Sequence, residues 1–121
     1  MNYDYVADKM REECGVFGIF SREEDVALNT YWALYALQHR GQESAGIVVS
    51  NGEQMDIMRG MGLVSEVFKR GLPPLAGHIA IGHVRYSTTG SSLLTNTQPL
   101  LASFAGGQIS LSHNGNITNA R

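Results

Sequence analysis

Two pairs of turn residues constrain this chain most. Asn51-Gly52 separates the β-branched run at 44–50 from a return segment at 54–58, and Gly106-Gly107 separates 100–104 from 108–112. Asn-Gly readily supplies the positive φ angles of a tight hairpin turn, so each pair reads as two antiparallel strands joined directly. Residues 14–20 and 78–86, rich in Ile, Val and Gly or Phe, read as two further strands. The two glycines of the first predict a strand whose backbone something approaches closely. Between them Ser21 and Glu24 have capping-box spacing and predict a helix ending near 38–40, with Gly41 as a left-handed cap. Leu28, Tyr31, Trp32 and Tyr35 share one face of that helix and are assigned to the core. A short helix over 63–70 is stopped by Gly71 and Pro73-Pro74. Hairpin-paired strands with the helices grouped together indicate an α+β fold built on antiparallel sheet.

At 121 residues one domain is expected, and a hydrophobic fraction of 43% is ordinary for a globular chain. A formal net charge of −2 argues against a nucleic-acid partner. No apolar run approaches the length of a membrane span. The single cysteine excludes an internal disulfide framework and fits a reducing, cytoplasmic compartment. Residues 1–13 carry Asp4, Asp8, Glu12 and Glu13 against Lys9 and Arg11; with no apolar stretch they read as a removable leader and not a secretory signal. The stop at Arg121, soon after His113-Asn114-Gly115-Asn116, reads as the end of a fragment.

Cys14 dominates the chemistry. Cleavage between Glu13 and Cys14 would give this residue a free α-amine, which titrates near about 7.7–8.0 and can take the proton of its own thiol. Taken alone, Cys14 reads first as a small buried hydrophobe in a strand, and the reactive reading needs the company of other groups. Three polar clusters accompany it. Gln38-His39-Arg40-Gly41-Gln42-Glu43-Ser44 is either a solvated helix cap or a functional turn. In Gly82-His83-Val84-Arg85-Tyr86-Ser87-Thr88-Thr89-Gly90, Arg85 has the fork geometry to grip a carboxylate, or to form a structural ion pair. In His113-Asn114-Gly115-Asn116 a side-chain amide and an uncrowded backbone N–H can aim two donors at one oxyanion, or simply make a turn. His39, His78, His83 and His113 are too widely spaced for the usual metal motifs, so no metal is assigned, and His83 and His113 are read as strand-end residues shaping a pocket.

In this order, the cysteine run Cys14-Gly15-Val16-Phe17-Gly18 and the three clusters resemble the glutaminase domain of the amidophosphoribosyltransferase family, a branch of the class II glutamine amidotransferases. The resemblance spans 13–121. It implies an N-terminal-nucleophile hydrolase fold, an αββα sandwich, with 1–13 as a propeptide and 14–121 as an incomplete glutaminase domain. It further implies that Cys14 is the nucleophile, its α-amine the general base, and Asn114 and Gly115 the oxyanion hole. Arg85 would hold the glutamine α-carboxylate with Thr88 beside it. Tyr86 would couple the two half-reactions, and Arg40 and Gly41 would support the nucleophile. Glutamine would be hydrolysed to glutamate and ammonia, and the ammonia used to make 5-phosphoribosylamine from phosphoribosylpyrophosphate in purine synthesis. The phosphoribosyltransferase domain, its Mg²⁺, a 4Fe-4S cluster and an aspartate for the substrate α-amino group would lie beyond residue 121, in a homo-oligomer. Two alternatives remain at this stage: a class II amidotransferase with a sugar-phosphate or carboxylate acceptor, and a non-catalytic domain that keeps its leader.

Overall fold

The computed structural model describes residues 14–39, 41–86 and 94–114. The leader at 1–13, Arg40, Thr88 and Gly115 therefore lie outside the described residues. Strand β1 (Gly15–Phe20) leads into helix α1 (Val26–Leu37), then β2 (Gln42–Ser50), β3 (Met55–Met61), the short α2 (Val64–Val67) and β4 (Ile79–Tyr86). A 3₁₀ turn at Leu94–Asn96 precedes β5 (Leu100–Phe104) and β6 (Gly107–Leu111). The first four strands form one antiparallel sheet in the order β1-β4-β2-β3, and β5 and β6 form a second. This is the α+β architecture expected, with the helices on one face of the larger sheet and, on the other, the 97–99 segment that leads into the β5–β6 hairpin.

β2 runs through the middle because almost all of it is buried, and its Ile47, Val48 and Val49 suit a strand covered on both faces. Ala45, Ile47 and Val49 pair with Val84, Gly82 and Ala80 across the ladder and turn toward α1, where Leu34 is fully buried. Each buried valine, isoleucine or leucine side chain here contributes about 1.5–3 kcal/mol by leaving water. The helix sits close because Gly82 has no side chain: a Cβ there would fall 2.6 Å from Thr30 Cγ2 and 3.1 Å from the Leu34 methyls. Thr30 is tolerated in that dry contact because its hydroxyl donates to the Val26 carbonyl at 2.7 Å.

Three local expectations are corrected. The aromatic stripe does not face the core: Trp32 is 57% exposed, with Leu28 and Tyr35 beside it, whereas Ala27, Thr30 and Leu34 face the sheet. The close helix–sheet approach admits small and aliphatic residues and turns the large rings outward, leaving only Tyr31 to reach Phe68 edge-on. Ser21 does accept from Glu23 and Glu24 N–H, but the helix starts later, at Asp25, whose carboxylate accepts from Leu28 N–H at 3.0 Å. The first hairpin has a four-residue loop, not a two-residue one, because Asn51 Oδ1 gathers the N–H groups of Glu53 and Gln54.

The 97–99 segment crosses the face of the sheet opposite α1. Arg59 Nη1 donates to the carbonyls of Thr97 at 3.0 Å and Pro99 at 3.2 Å, straddling the cis Gln98-Pro99 bond. Gly46 makes the crossing possible, since a Cβ there would come within 2.2 Å of the Gln98 carbonyl oxygen. Gln108 Oε1 accepts from Met55 N–H and ties the second sheet to β3.

Candidate active site

The pairing of β1 with β4 places the cysteine. Gly15 lies opposite Val84, so Cys14 reaches the last residues of β4. Its thiol donates to the Tyr86 carbonyl at 3.7 Å, and Tyr86 N–H donates to Sγ at 3.4 Å. An N–H directed at sulfur stabilises negative charge there. A register slip of one residue would reverse the faces of β1 and drive the position of Gly15 away from its slot. That slot is tight: a Cβ on Gly15 would meet Val84 Cγ2 at 3.0 Å and Leu37 Cδ1 at 3.1 Å. The approach expected at the glycines of β1 is therefore real at Gly15, whereas Gly18 has nothing closer than 3.9 Å.

Tyr86 secures the end of α1 next to the cysteine. Its hydroxyl donates to the Leu37 carbonyl at 3.2 Å and accepts from His39 N–H, and its ring is buried. Among the described residues of 38–44, His39 and Gly41 are exposed, while Gln42 and Ser44 are buried. Gln38 ends α1 and its Oε1 accepts from Val64 N–H at the start of α2. Gln42, also buried, donates from Nε2 to the Ser44 and Gly62 carbonyls at 2.7 and 2.8 Å. Gly41 adopts the left-handed φ of +93°, but in the turn into β2, since α1 stops at Leu37.

Arg85 lies one residue before Tyr86, and its Nη1 donates to the Asn96 carbonyl at 3.2 Å. Two residues earlier on β4, His83 is fully buried. Its Nε2 lies 3.1 Å from the carbonyl oxygen of His113, and His113 N–H donates to Gln98 Oε1 at 2.7 Å. Asn114 follows directly and is exposed. Burial pushes the His83 pKa from 6.5 down to about 4; the His113 carbonyl favours its charge, while the neighbouring His113 and Arg85 side chains disfavour it.

Cys14, Arg85 and Tyr86 thus meet at one end of the β1–β4 pair, and the segment carrying Asn114 is tied to the same strand through His83. Gln98 and Arg59 escaped the sequence reading. Nothing local marks Gln98, whose partner is fifteen positions away. His83 carried a signal, the alternation of β4, which puts it on the face of Arg85. Among the described residues no group of three or more His, Cys, Asp or Glu side chains is placed to hold a metal ion, and no helix is long and apolar enough to cross a membrane.

Comparison with known proteins follows the same lines. The family model for class-II glutamine amidotransferases matches residues 37–121. The chain is 54% identical over 112 residues to an amidophosphoribosyltransferase of Mycobacterium tuberculosis, covering 91% of this chain and 21% of that protein. It is 55% identical over 120 residues to amidophosphoribosyltransferase 2, chloroplastic, of Arabidopsis thaliana, covering 98% and 21%. Among solved structures it resembles the glutamine phosphoribosylpyrophosphate amidotransferase of B. subtilis complexed with ADP and GMP, with a TM-score of 0.74 and 46% identity over 86% of this chain and 22% of that one. The chain spans about a fifth of the length of the curated relatives it matches.

Proposed function

We propose that this chain, which belongs to the class-II glutamine amidotransferases, forms the glutamine-hydrolysing part of an amidophosphoribosyltransferase. Loss of residues 1–13 frees the α-amine of Cys14. That amine takes the thiol proton as Sγ attacks the side-chain amide carbon of glutamine, forming a carbon–sulfur bond and a tetrahedral oxyanion. The Asn114 side chain and Gly115 N–H donate to the oxyanion, and Tyr86 N–H steadies the sulfur. The protonated amine then returns its proton to the amide nitrogen, the carbon–nitrogen bond breaks, and ammonia leaves behind a Cys14 thioester. Water adds to the thioester carbonyl, passing a proton to the amine. The carbon–sulfur bond breaks, and glutamate departs as the thiol is restored.

Arg85, with Thr88 beside it, holds the substrate α-carboxylate by a bidentate grip. Arg40 and Gly41 support the turn behind the nucleophile. Tyr86, tied to the end of α1, couples glutamine binding to the acceptor site. The ammonia passes to phosphoribosylpyrophosphate and yields 5-phosphoribosylamine for purine synthesis, in a cytoplasmic homo-oligomer. A cysteine-bound iron–sulfur cluster does not fit this chain, whose single cysteine is the nucleophile. Mg²⁺ and the cluster belong with the phosphoribosyltransferase part, and no step above passes through either.

The observation that supports this reading most is the Tyr86 N–H on Cys14 Sγ, one residue from Arg85. The test is the intact mass of the purified enzyme together with Cys14→Ala. The expected result is a chain beginning at Cys14, and a variant that releases no ammonia from glutamine yet still makes phosphoribosylamine when ammonia is supplied. A chain that retains residues 1–13, or a Cys14→Ala variant that still hydrolyses glutamine, would refute it.

A further inference from the structure

We propose that His83 and Gln98 form a two-point clamp on the His113 backbone that sets the direction of Asn114, making His83 a positioning residue for the oxyanion hole. This rests on the catalytic reading above and assigns it a part of the machinery that lies away from the reacting atoms.

The geometry is specific. Asn114 is exposed and lies past the end of β6, outside the strand ladder that would otherwise fix its peptide. That peptide begins at His113, whose carbonyl and N–H are both taken. The carbonyl faces His83 Nε2 at 3.1 Å, and the N–H faces Gln98 Oε1 at 2.7 Å. A carbonyl oxygen only accepts, so Nε2 carries the proton and donates. Nδ1 is buried without a partner among the described residues, as suits the unprotonated nitrogen of a neutral ring better than a stranded N–H. Desolvation keeps the ring neutral well below its ordinary range, so the tautomer persists through working pH.

Both anchors are rigid. His83 sits mid-sheet, between Val16 of β1 and Gly46 of β2 in the ladders, and is fully buried. Gln98 is clasped on either side by Arg59, through the Thr97 and Pro99 carbonyls. The clamp therefore refers the oxyanion donor to β4, the strand that also carries Arg85 and the Tyr86 N–H on the nucleophile. Donor, carboxylate grip and sulfur share one frame, and a misplacement of the donor by an ångström is enough to lose its contribution.

The test uses the intact enzyme, with glutamine hydrolysis and ammonia-dependent synthesis measured side by side. His83→Leu should lower kcat for glutamine by at least about tenfold, toward the roughly 10²–10³-fold that loss of an oxyanion donor costs, with KM little changed. His83→Gln, whose amide can replace the Nε2 donor, should recover most of that loss. In an Asn114→Ala background His83→Leu should cost nothing further, because its effect runs through Asn114. Should His83→Leu not fold, as shown by loss of ammonia-dependent synthesis, Gln98→Ala provides the same cycle from the other anchor. Unchanged kcat in the folded variant, failure of glutamine to rescue, or full additivity with Asn114→Ala would each overturn the clamp. An enzyme in which Asn114→Ala keeps full glutaminase activity would instead refute the oxyanion assignment, and the clamp would fall with it.

Discussion

Replacing Gly46 by alanine puts one methyl group where β2 passes beneath the 97–99 segment. The new Cβ would lie 2.2 Å from the Gln98 carbonyl oxygen, 2.8 Å from Pro99 Cδ and 3.0 Å from Arg59 Cβ. Carbon–oxygen contacts rarely close below about 3.3 Å, so the carbonyl must retreat by roughly 1 Å. β2 cannot yield in its place, since it is bonded to β4 on one side and β3 on the other. The retreat loosens both Arg59 bonds to the segment and the 2.7 Å bond from His113 N–H to Gln98. Overpacking costs about 1–3 kcal/mol and each weakened hydrogen bond up to about 1 kcal/mol, so a loss on the order of 3 kcal/mol is expected. For a domain of full glutaminase size that corresponds to a fall in thermal midpoint of roughly 6–12 °C. The assay is thermal inactivation of glutamine hydrolysis in the intact enzyme, with Gly60→Ala as control. On the neighbouring strand, a Cβ at Gly60 would meet nothing closer than 3.5 Å. Glutamine turnover before heating should also fall, because Gln98 carries one side of the His113 clamp. A Gly46→Ala enzyme with the midpoint and turnover of Gly60→Ala would refute the reasoning.

Three further expectations concern the same region. His83 has a folded pKa of about 4 against 6.5 for the free side chain, so the unfolded chain binds the extra proton between those values. The neutral state therefore contributes on the order of 3 kcal/mol above pH ~6.5, lost progressively as pH falls toward ~4. Among the described residues His113 and Arg85 are the groups whose charge acts on it, and urea unfolding at both ends of that window should show a steeper pH dependence in the native enzyme than in His83→Leu; equal slopes would contradict it. Tyr86→Phe removes the hydroxyl shared by the Leu37 carbonyl and His39 N–H, and should cost about 1–3 kcal/mol in unfolding experiments while ammonia-dependent synthesis persists. An unchanged stability would mean that the end of α1 is held some other way. Residues 1–121 expressed alone should self-associate, because β1 is an edge strand and Phe20, Phe104, Ile109 and Leu111 are exposed. A soluble monomer with one cooperative melting transition would count against this.

The strand–hairpin order, the α+β class and the candidate reactive groups were all legible in short stretches of the chain. Those features depend on neighbours in the chain: the β-branched run of β2, the turn residues at 51–52 and 106–107, the left-handed glycine at 41, and an arginine, an asparagine and one cysteine in recognisable settings. Boundaries slipped where two local signals competed, as when Ser21 made its own turn and left Asp25 to start α1. The tertiary structure alone decided which face of α1 is inside, because the closeness of the helix to Gly82, not periodicity, selects Ala27, Thr30 and Leu34 over the aromatic ridge. It alone also paired Cys14 with Tyr86, seventy-two residues away, and His113 with both His83 and Gln98. Such contacts depend on strand register and on where the segments around Gln98 and His113 cross the larger sheet, and neither quantity is written in any short stretch of residues.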